Sequence, residues 1–460
     1  MSTVPPSLDW SKRIPYDWTS PQGLDKLKHV VTPSLNYEPR EFQLYDSACI
    51  LSGRDVFCIT ATGDGKSALI YIPVLARKDM IVIVIEPTNF LESDLASNLT
   101  TRGLTSAVIN ADSLTQALRA GRDLWKEARD CQFQVLTFSP ETLRTAAFDK
   151  LIQDRRFRSR WGVLVTDESH KVDEWGADFR TAYSDIWSLR SRGPEHLVFV
   201  ALSASVEPGR QMTSILRSLG FRDGYYYLDK RDCERRNVDF IFRTIQYPSS
   251  GHEFRDLDWM IPEDMTKASD VEKQVLYCDT IEQGHRVACY LRSLLPPALK
   301  PVGHIIVRHM HSMNCPECKR EGFAALYKCG SERQGAIFVA TAVLEVGIDI
   351  PGLRRIVSYA GNQSASAWIQ EGGRSAREPN TTGEAIFYIK KSDIDAALAY
   401  VKAEPLDERL LRERDTSGDA GGAGGGPALD TDVDNSNTEG REDCGEALDK
   451  NEDKGLMPIG

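Results

Sequence analysis

The sequence predicts an α/β protein made of two tandem parallel-sheet domains followed by a disordered acidic tail. Three observations support this class. Short apolar runs of strand length alternate with helical stretches, which is typical of parallel sheets covered by helices on both faces. The runs fall into two series, separated by a polar stretch at residues 229–237. From about Thr416 onward the chain is rich in Gly, Asp, Asn, Ser and Glu, with too little apolar surface to offset its ordering entropy.

The predicted strands follow one another along the chain. The first series comprises residues 55–60, 80–85, 107–110, 134–138, 162–165 and 197–202. The second comprises residues 238–242, 274–277, 305–307, 336–339, 355–359 and 385–388. We therefore predict an N-terminal extension at 1–34, a first domain at 35–232, a second domain at 236–402, and a disordered, Gly-rich acidic tail at 416–460.

Composition limits the location of the protein. The chain has 460 residues, of which 41 % are hydrophobic, enough for sizeable cores. The longest purely apolar runs, such as residues 80–85, have six residues, whereas a membrane-spanning helix needs roughly 20. The N-terminus lacks the charged and apolar regions of a secretory signal. We therefore expect a soluble protein in the nucleus or the cytoplasm.

The negative charge is concentrated in the tail. From Asp415 onward there are twelve acidic and three basic residues, so this segment carries −9 of the net charge of −11 and leaves −2 for residues 1–414. A nearly neutral body can still line one cleft with Lys and Arg, so the charge does not exclude nucleic acid as a partner.

The ten cysteines are mostly scattered singly, which favours reduced core thiols over a disulfide framework. The exception is the pair Cys315 and Cys318. Other possible zinc ligands lie near this pair in the sequence: His304, His309, His311 and Cys329. A zinc site is one hypothesis for this segment.

Residues 60–67 have the composition of a phosphate-binding turn between a strand and a helix. Their glycines let successive N–H groups face phosphate oxygens, while Lys66 adds a positive charge and Ser67 a magnesium ligand. The match is partial, because Thr60 stands where the P-loop pattern has glycine. An ordinary Gly-rich connector is the alternative for this turn taken alone.

Residues 163–170 place adjacent carboxylates after an apolar run. Asp167 can hold a magnesium ion while Glu168 orients the attacking water, although an acidic helix start is the alternative. Together with residues 60–67, in this order, they predict an ATP hydrolysis site that uses Mg²⁺.

Residues 370–377 supply two arginines, Arg374 and Arg377, three positions apart in the second domain. A solvated basic helix start is the alternative. Opposite a phosphate-binding domain, the pair is interpreted as arginine fingers delivered across a cleft, with Lys66, Asp167 and Glu168 as the other catalytic residues.

These segments resemble those of superfamily 2 helicases, and most closely the RecQ-like DNA helicases, over about residues 35–390. The resemblance implies two RecA-like domains, ATP and Mg²⁺ as cofactors, and single-stranded or partly single-stranded DNA as the partner. Gln43 lies in a segment similar to the adenine-reading segment. The implied nucleotide-binding residues are Gln43, Thr62, Gly63, Asp64, Gly65, Lys66, Ser67, Gly347 and Asp349, the last two in the segment 340–349 that resembles motif V.

Further residues are assigned by the resemblance to coupling between ATP and nucleic acid. Residues 167–170 resemble D-E-A-H with Ser169 for Ala, and residues 174–180 stand where the family has an aromatic loop that senses single strands. Residues 86–88 and 138–141 occupy positions that contact the nucleic-acid backbone. The implied coupling residues are His170, Trp175, Phe179, Arg180, Ser203, Ser205 and Gln370.

The resemblance also has departures. It places Cys315 and Cys318 at an ordinary helix start, which weakens the zinc hypothesis, and no cysteines matching the family's separate zinc subdomain follow Arg377. Ala376 and Asp64 stand where the family commonly has Gly. The expected function is an ATP-dependent 3′–5′ DNA helicase or translocase. The alternatives are an RNA helicase with the same core and a degenerate copy that binds nucleic acid without productive turnover.

Overall fold

The computed structural model describes residues 16–35, 37–86, 95–96, 98–174, 186–206, 209–328, 336–341, 350–359, 365–378 and 380–403. The chain forms two sheets in succession, and every strand pairing within them is parallel. This arrangement confirms the predicted α/β class with two parallel-sheet domains. The predicted disordered tail lies outside the described residues.

The first sheet has seven strands in the order β3-β4-β2-β5-β6-β1-β7. Its strands are β1 (Asp55–Ile59), β2 (Ile81–Ile85), β3 (Ser106–Ile109), β4 (Val135–Phe138), β5 (Trp161–Thr166), β6 (Val198–Ser203) and β7 (Tyr226–Lys230). The helices of this part are α1 (Pro21–Val31), α2 (Glu41–Leu51), α3 (Ala68–Ala76), α4 (Ala111–Arg119), α5 (Leu124–Arg129), α6 (Ala146–Gln153), α7 (Arg155–Arg158), α8 (Lys171–Glu174), α9 (Leu189–Arg192) and α10 (Arg210–Ser218).

The second sheet has six strands in the order β10-β11-β9-β12-β13-β8. Its strands are β8 (Val238–Thr244), β9 (Gln274–Cys278), β10 (Val307–Met310), β11 (Ile337–Ala340), β12 (Arg355–Tyr359) and β13 (Gly383–Ile389). The helices are α11 (Ile281–Leu294), α12 (Gly303–Ile306), α13 (Pro316–Tyr327), α14 (Ala365–Gly372) and α15 (Lys391–Ala403). Short 3₁₀ helices occupy Thr32–Ser34, Pro140–Arg144, Arg255–Met260, Ala268–Asp270 and Lys300–Val302.

Both faces of the central strands are buried, which explains their continuous apolar sequences. Along β1, Val56 and Cys58 face a core cluster that includes residues of α1, α2 and α3. Phe57 and Ile59 face the opposite cluster. Because side chains alternate along a strand, one apolar run supplies both cores.

The strand register brings the predicted motifs to one edge of the first sheet. Ile59 pairs with Ser203, Thr166 with Ala201, and Ile85 with Thr166. The carboxyl ends of β5, β6 and β1 therefore lie in that order along one edge of the sheet, and the segments that follow β1 and β5 leave the same edge on either side of β6. Ligands of open parallel sheets bind at such an edge.

Two local predictions differ from the structure. The strand β7 at Tyr226–Lys230 was not predicted, since its half-buried edge position does not require a continuous apolar run. The strand predicted at 305–307 is instead the end of helix α12 followed by β10, because a short apolar run fits either state. In the described ranges, each helix is too short or too polar to span a bilayer.

Candidate functional site

The phosphate loop, residues 60–67, follows β1 and leads into α3. Gly63 and Gly65 have φ values of +86° and +83°, in the left-handed region that favours glycine. A Cβ atom built on Gly65 would lie 2.6 Å from Gln43 Nε2. Gly65 therefore serves both the turn and its close packing against α2.

The side chain of Gln43 braces the phosphate loop. Its amide nitrogen donates to the carbonyl of Gly65 at 3.0 Å, and its Oε1 accepts from the N–H of Arg40 at 2.9 Å. Gln43 is buried. Its expected role in reading adenine stays a prediction.

The Asp64 carboxylate, which lies inside the loop, is bound by two side chains of the protein. Its Oδ2 accepts from the Thr60 hydroxyl at 2.6 Å, and its Oδ1 lies 2.7 Å from Arg40 Nη1. The negative charge next to the phosphate site is therefore paired with a positive one. Thr60, which departs from the P-loop glycine, has a structural use as the Asp64 partner.

Lys66 points back into its own loop. Its Nζ donates to the carbonyls of Thr60 at 3.0 Å and Ala61 at 3.2 Å. Ser67 is the N-cap residue of α3, and its backbone carbonyl accepts from the Ile70 N–H at 3.0 Å. The loop carbonyls thus hold the ammonium inside the phosphate loop.

The acidic pair lies immediately beyond β5. Burial, followed by the charge of Glu168, raises the pKa of Asp167 to about 7. Burial acts to raise the pKa of Glu168, but nearby positive charges, led by His170, lower it below its usual range. Lys66 and Arg374 are among those charges. Because Arg374 belongs to the second domain, both domains contribute positive charge near this pair.

The residues present fit a magnesium ion. Burial, followed by the neighbouring charge of Glu168, raises the pKa of Asp167. A divalent cation would offset the repulsion between the two carboxylates, and oxygen donors are the ligands that Mg²⁺ prefers. Glu168 has φ +47°, a left-handed value that costs a non-glycine residue roughly 1–2 kcal/mol. In this turn the Glu168 N–H donates to Asp167 Oδ1 at 2.8 Å.

A hydrogen-bonded chain connects the acidic segment to the second domain. His170 Nδ1 lies 3.1 Å from Ser203 Oγ, and His170 Nε2 lies 2.7 Å from Gln370 Nε2. Gln370 also donates to Ser205 Oγ. All four side chains are buried. The structure therefore brings together four of the residues predicted to couple ATP and nucleic acid.

The arginine turn, residues 372–377, follows α14 and packs directly on the phosphate loop. The Thr62 hydroxyl donates to the Gly373 carbonyl at 3.1 Å. A Cβ atom on Gly373 would lie 2.1 Å from Thr62 Oγ1, so the contact requires glycine. The predicted cleft between the two domains is thus closed here by a hydrogen bond from a side chain to a backbone carbonyl.

The two predicted arginine fingers differ in their surroundings. Arg374 is only 3 % exposed and is close enough to the acidic pair to lower the pKa of Glu168. Arg377 is half-buried, and its Nε donates to the Gly373 carbonyl at 3.4 Å. Ala376, between them, has φ +48°, so the turn does use the conformation that glycine favours.

Arg235 was missed by sequence reasoning, which treated its segment as a polar stretch between the two strand series. Its Nη1 donates to the carbonyls of Thr62 at 3.1 Å and Gly373 at 2.7 Å. Its Nη2 donates to the carbonyls of Ser375 at 3.1 Å and Ala376 at 2.9 Å. One guanidinium therefore ties the phosphate loop to the arginine turn. The sequence signal that could have identified Arg235 is a basic residue between the two strand series.

Some predicted residues lie outside the described ranges. These are Trp175, Phe179 and Arg180 of the aromatic loop and Gly347 and Asp349 of the motif V segment. For zinc, Cys315 and Cys318 have no third ligand in the part of the chain that the structure describes. There, the residues that converge as possible metal ligands are Asp46, Cys58 and Asp229.

Family models match both sheets. The DEAD/DEAH box helicase model matches residues 40–213, and the helicase conserved C-terminal domain model matches residues 254–378. The first match contains the phosphate loop and the acidic pair, and the second contains the arginine turn.

Curated relatives are helicases of the RecQ type. The chain is 25 % identical to the ATP-dependent DNA helicase RecQ of Haemophilus influenzae over 75 % of this chain and 50 % of that protein. It is 23 % identical to the ATP-dependent DNA helicase Q1 of Pongo abelii over 81 % of this chain and 54 % of that protein. The chain therefore spans about half the length of these relatives.

Solved helicase structures share the fold. The Mycobacterium smegmatis helicase Lhr bound to ssDNA and AMP-PNP superposes with a TM-score of 0.60 at 16 % identity, over 79 % of this chain and 47 % of that one. Dbp5 of S. cerevisiae bound to RNA and ADP BeF3 gives a TM-score of 0.60 at 16 % identity, over 87 % of this chain and 99 % of that one.

Proposed function

We propose that this chain, which belongs to the RecQ-like superfamily 2 helicases, couples ATP hydrolysis to 3′–5′ movement along single-stranded DNA. The observation that carries the proposal is the seating of the arginine turn on the phosphate loop, with Arg374 buried next to the acidic pair. A hydrolysis site split between two domains is opened and closed by their relative motion. Such a site can convert ATP turnover into displacement of a bound strand.

The residues divide the chemistry as follows. Backbone N–H groups of the phosphate loop and the Lys66 ammonium bind the phosphates. Ser67 and Asp167 would hold Mg²⁺, which when bound would offset charge on the phosphate oxygens. Glu168 orients the attacking water, and its lowered pKa keeps it ionised for this role. Arg374 stabilises the charge that develops on the transferred phosphoryl group.

Coupling follows from the contacts that opening the cleft must break. These include the Thr62–Gly373 bond and the Gln370 bonds to His170 and Ser205. Because the second set begins at His170, two residues beyond Glu168, a change at the hydrolysis site would be passed directly to helix α14 of the second domain. Alternate opening and closing would then move a strand held by both domains.

The DNA-stimulated rate of ATP hydrolysis tests the substrate. The purified chain should hydrolyse ATP slowly alone and faster with single-stranded DNA than with duplex DNA or RNA, whereas Lys66→Ala should be inactive in every case. Stronger stimulation by RNA would establish the RNA-helicase alternative instead. Nucleic-acid binding with no hydrolysis under any condition would establish the degenerate copy.

The aromatic loop and the polarity need their own experiments. Trp175→Ala with Phe179→Ala should leave basal hydrolysis nearly unchanged and remove its stimulation by DNA, since base stacking worth about 1–3 kcal/mol per base is lost. Unfolding of this double variant would instead make the two aromatics core residues. Displacement of a protein block from the 5′ end of a single strand, but not from the 3′ end, would establish 3′–5′ movement.

A further inference from the structure

Two exposed cysteines lie beside the edge strand of the second sheet, on a helix that carries none of the predicted nucleotide-binding residues. Cys315 caps helix α13, which follows the edge strand β10, and Cys318 lies in the first turn of that helix. Their sulfur atoms are 2.8 Å apart, and both residues are exposed. In the described part of the chain they share no third metal ligand.

We propose that Cys315 and Cys318 form a thiol–disulfide exchange site that takes low-molecular-weight or protein disulfides as its substrate. The proposal does not depend on helicase activity, because it uses neither the phosphate loop nor the arginine turn.

The geometry allows a disulfide without rearrangement of the backbone. A disulfide bond has a sulfur–sulfur distance of about 2.05 Å, so the two atoms need to approach by under ~1 Å. Pro316 at the first helical position fixes the backbone between the capping residue and the helix. The pair is therefore preorganised to close.

Cys315 is the attacking thiol. Its Sγ accepts the Cys318 backbone N–H at 3.2 Å at the positive end of a 12-residue helix. The hydrogen bond from the Cys318 thiol, and after it the bond from the Cys318 N–H, lower the pKa of Cys315. The same bond between the two thiols raises the pKa of Cys318. Glu317, the nearest acidic residue, is paired with Arg320 at 3.1 Å.

The exchange balances in two steps. The Cys315 thiolate attacks one sulfur of the substrate disulfide, a mixed disulfide forms, and the first thiolate leaves. Cys318 then loses its proton and attacks Cys315 Sγ, which releases the second thiolate. The protein pair is oxidised by two electrons and the substrate disulfide is reduced by two.

The full-length chain can be equilibrated with mixtures of oxidised and reduced glutathione, quenched in acid, alkylated and analysed by mass spectrometry. Both thiols lie on the tryptic peptide 309–319. We expect this peptide to become unreactive towards the alkylating reagent and lighter by two hydrogen atoms. Cys318→Ser should lose the disulfide and accumulate glutathione on Cys315, whereas Cys315→Ser should lose both products.

Cys289→Ser removes another exposed thiol and should change nothing at peptide 309–319. Lys66→Ala should exchange as the wild type does, which separates this proposal from the proposed ATPase. A peptide that stays reduced while Cys289 acquires glutathione would overturn the proposal. Equal glutathione adducts in the two single variants would overturn Cys315 as the attacking thiol, and zinc that co-purifies and blocks alkylation of both thiols would overturn the exchange site.

Discussion

The phosphate loop and the arginine turn are the two halves of one site, and they are held in different ways. The phosphate loop is held by neighbours in the first domain: Thr60 and Arg40 bind Asp64, and Gln43 braces Gly65. The arginine turn is held within the second domain, where the Ala376 N–H donates to the Leu353 carbonyl at 2.8 Å, and also across the cleft, where Thr62 and Arg235 bind the Gly373 carbonyl.

This difference indicates which half can move. A loop held by its own domain keeps its shape when the cleft opens. In the proposed cycle the Thr62–Gly373 bond forms only when the cleft is closed, so closure would bring the arginine to the site. On that mechanism the first-domain groups are the permanent half of the site and the second-domain arginine is the conditional half.

The permanent half should give the largest effects. Lys66→Ala should abolish ATP hydrolysis, because backbone N–H groups alone cannot replace its charge on the phosphates. Glu168→Gln should lose turnover but retain ATP binding, since Asp167 still holds the metal. Measured hydrolysis and nucleotide affinity check both variants. Wild-type turnover in the first, or equal loss of binding in the second, would break the assignment.

The contact between the halves can be broken sterically. In Gly373→Ala the new methyl group would meet Thr62 Oγ1 at 2.1 Å, so the turn must shift away from the phosphate loop. Because a misplacement of about 1 Å typically costs 10²-fold, we expect kcat to fall by roughly that factor. Thr62→Ala in the same chain should restore part of the rate, and Gly251→Ala serves as the control, because its new methyl group would meet only the Glu253 backbone nitrogen, at 4.0 Å.

Failure of the Thr62→Ala change to restore any activity would mean that the Gly373 Cβ disturbs α14 itself, since the Ile369 carbonyl is also only 2.9 Å from that atom. Unchanged kcat in Gly373→Ala would show that the two halves need not touch during hydrolysis.

Variants of Arg235 test whether this residue, which lies between the two sheets, positions the arginine turn. Loss of hydrogen bonds from a charged group costs about 1.5–3 kcal/mol, so Arg235→Ala should lower kcat by roughly 10- to 100-fold with little change in ATP affinity. Arg235→Lys should not restore the rate, because an ammonium cannot bridge four carbonyls as a planar guanidinium does.

The adjacent Arg236 is the matched control, because its side chain is 82 % exposed and pairs only with surface acids among the described contacts. Arg236→Ala should hydrolyse ATP as the wild type does. If Arg235→Ala lowers the thermal midpoint by many degrees and reduces ATP affinity in parallel, Arg235 has a general structural role and positions nothing.

Ala376 should give the smallest effect. Replacement by Gly relieves the left-handed backbone by roughly 1 kcal/mol but adds about 0.5–1 kcal/mol of unfolded-chain entropy. We therefore expect thermal stability to change little in Ala376→Gly, and the thermal midpoint to fall in Ala376→Val, whose branched side chain resists φ +48°. A large loss of stability in the Gly variant would mean that the Ala376 methyl group is needed in its core cluster.

The two halves also differ in how far the sequence predicted them. Local patterns were sufficient for the phosphate loop and the acidic pair, because a buried strand and a following turn place them at one sheet edge. The sequence also predicted Arg374 as a site residue. That Arg374 is more deeply buried than Arg377 depends on tertiary packing.

Arg235 and β7 show why the rest was missed. A polar segment between two apolar series has no periodicity that would show whether it is a free linker or a contact between the domains. The Arg235 bonds also join residues more than a hundred positions apart. The strand β7 forms only through pairing with β1. Such features arise from tertiary context, which local pattern does not encode.

The single-turnover rate of ATP hydrolysis in Arg374→Ala tests the central claim, that closure delivers a second-domain arginine to a site prepared in the first domain. With single-stranded DNA saturating and ATP bound, we predict a rate lower by about 10³- to 10⁵-fold, with ATP affinity within a few-fold of the wild type. Hydrolysis at the wild-type rate in this variant would contradict the account.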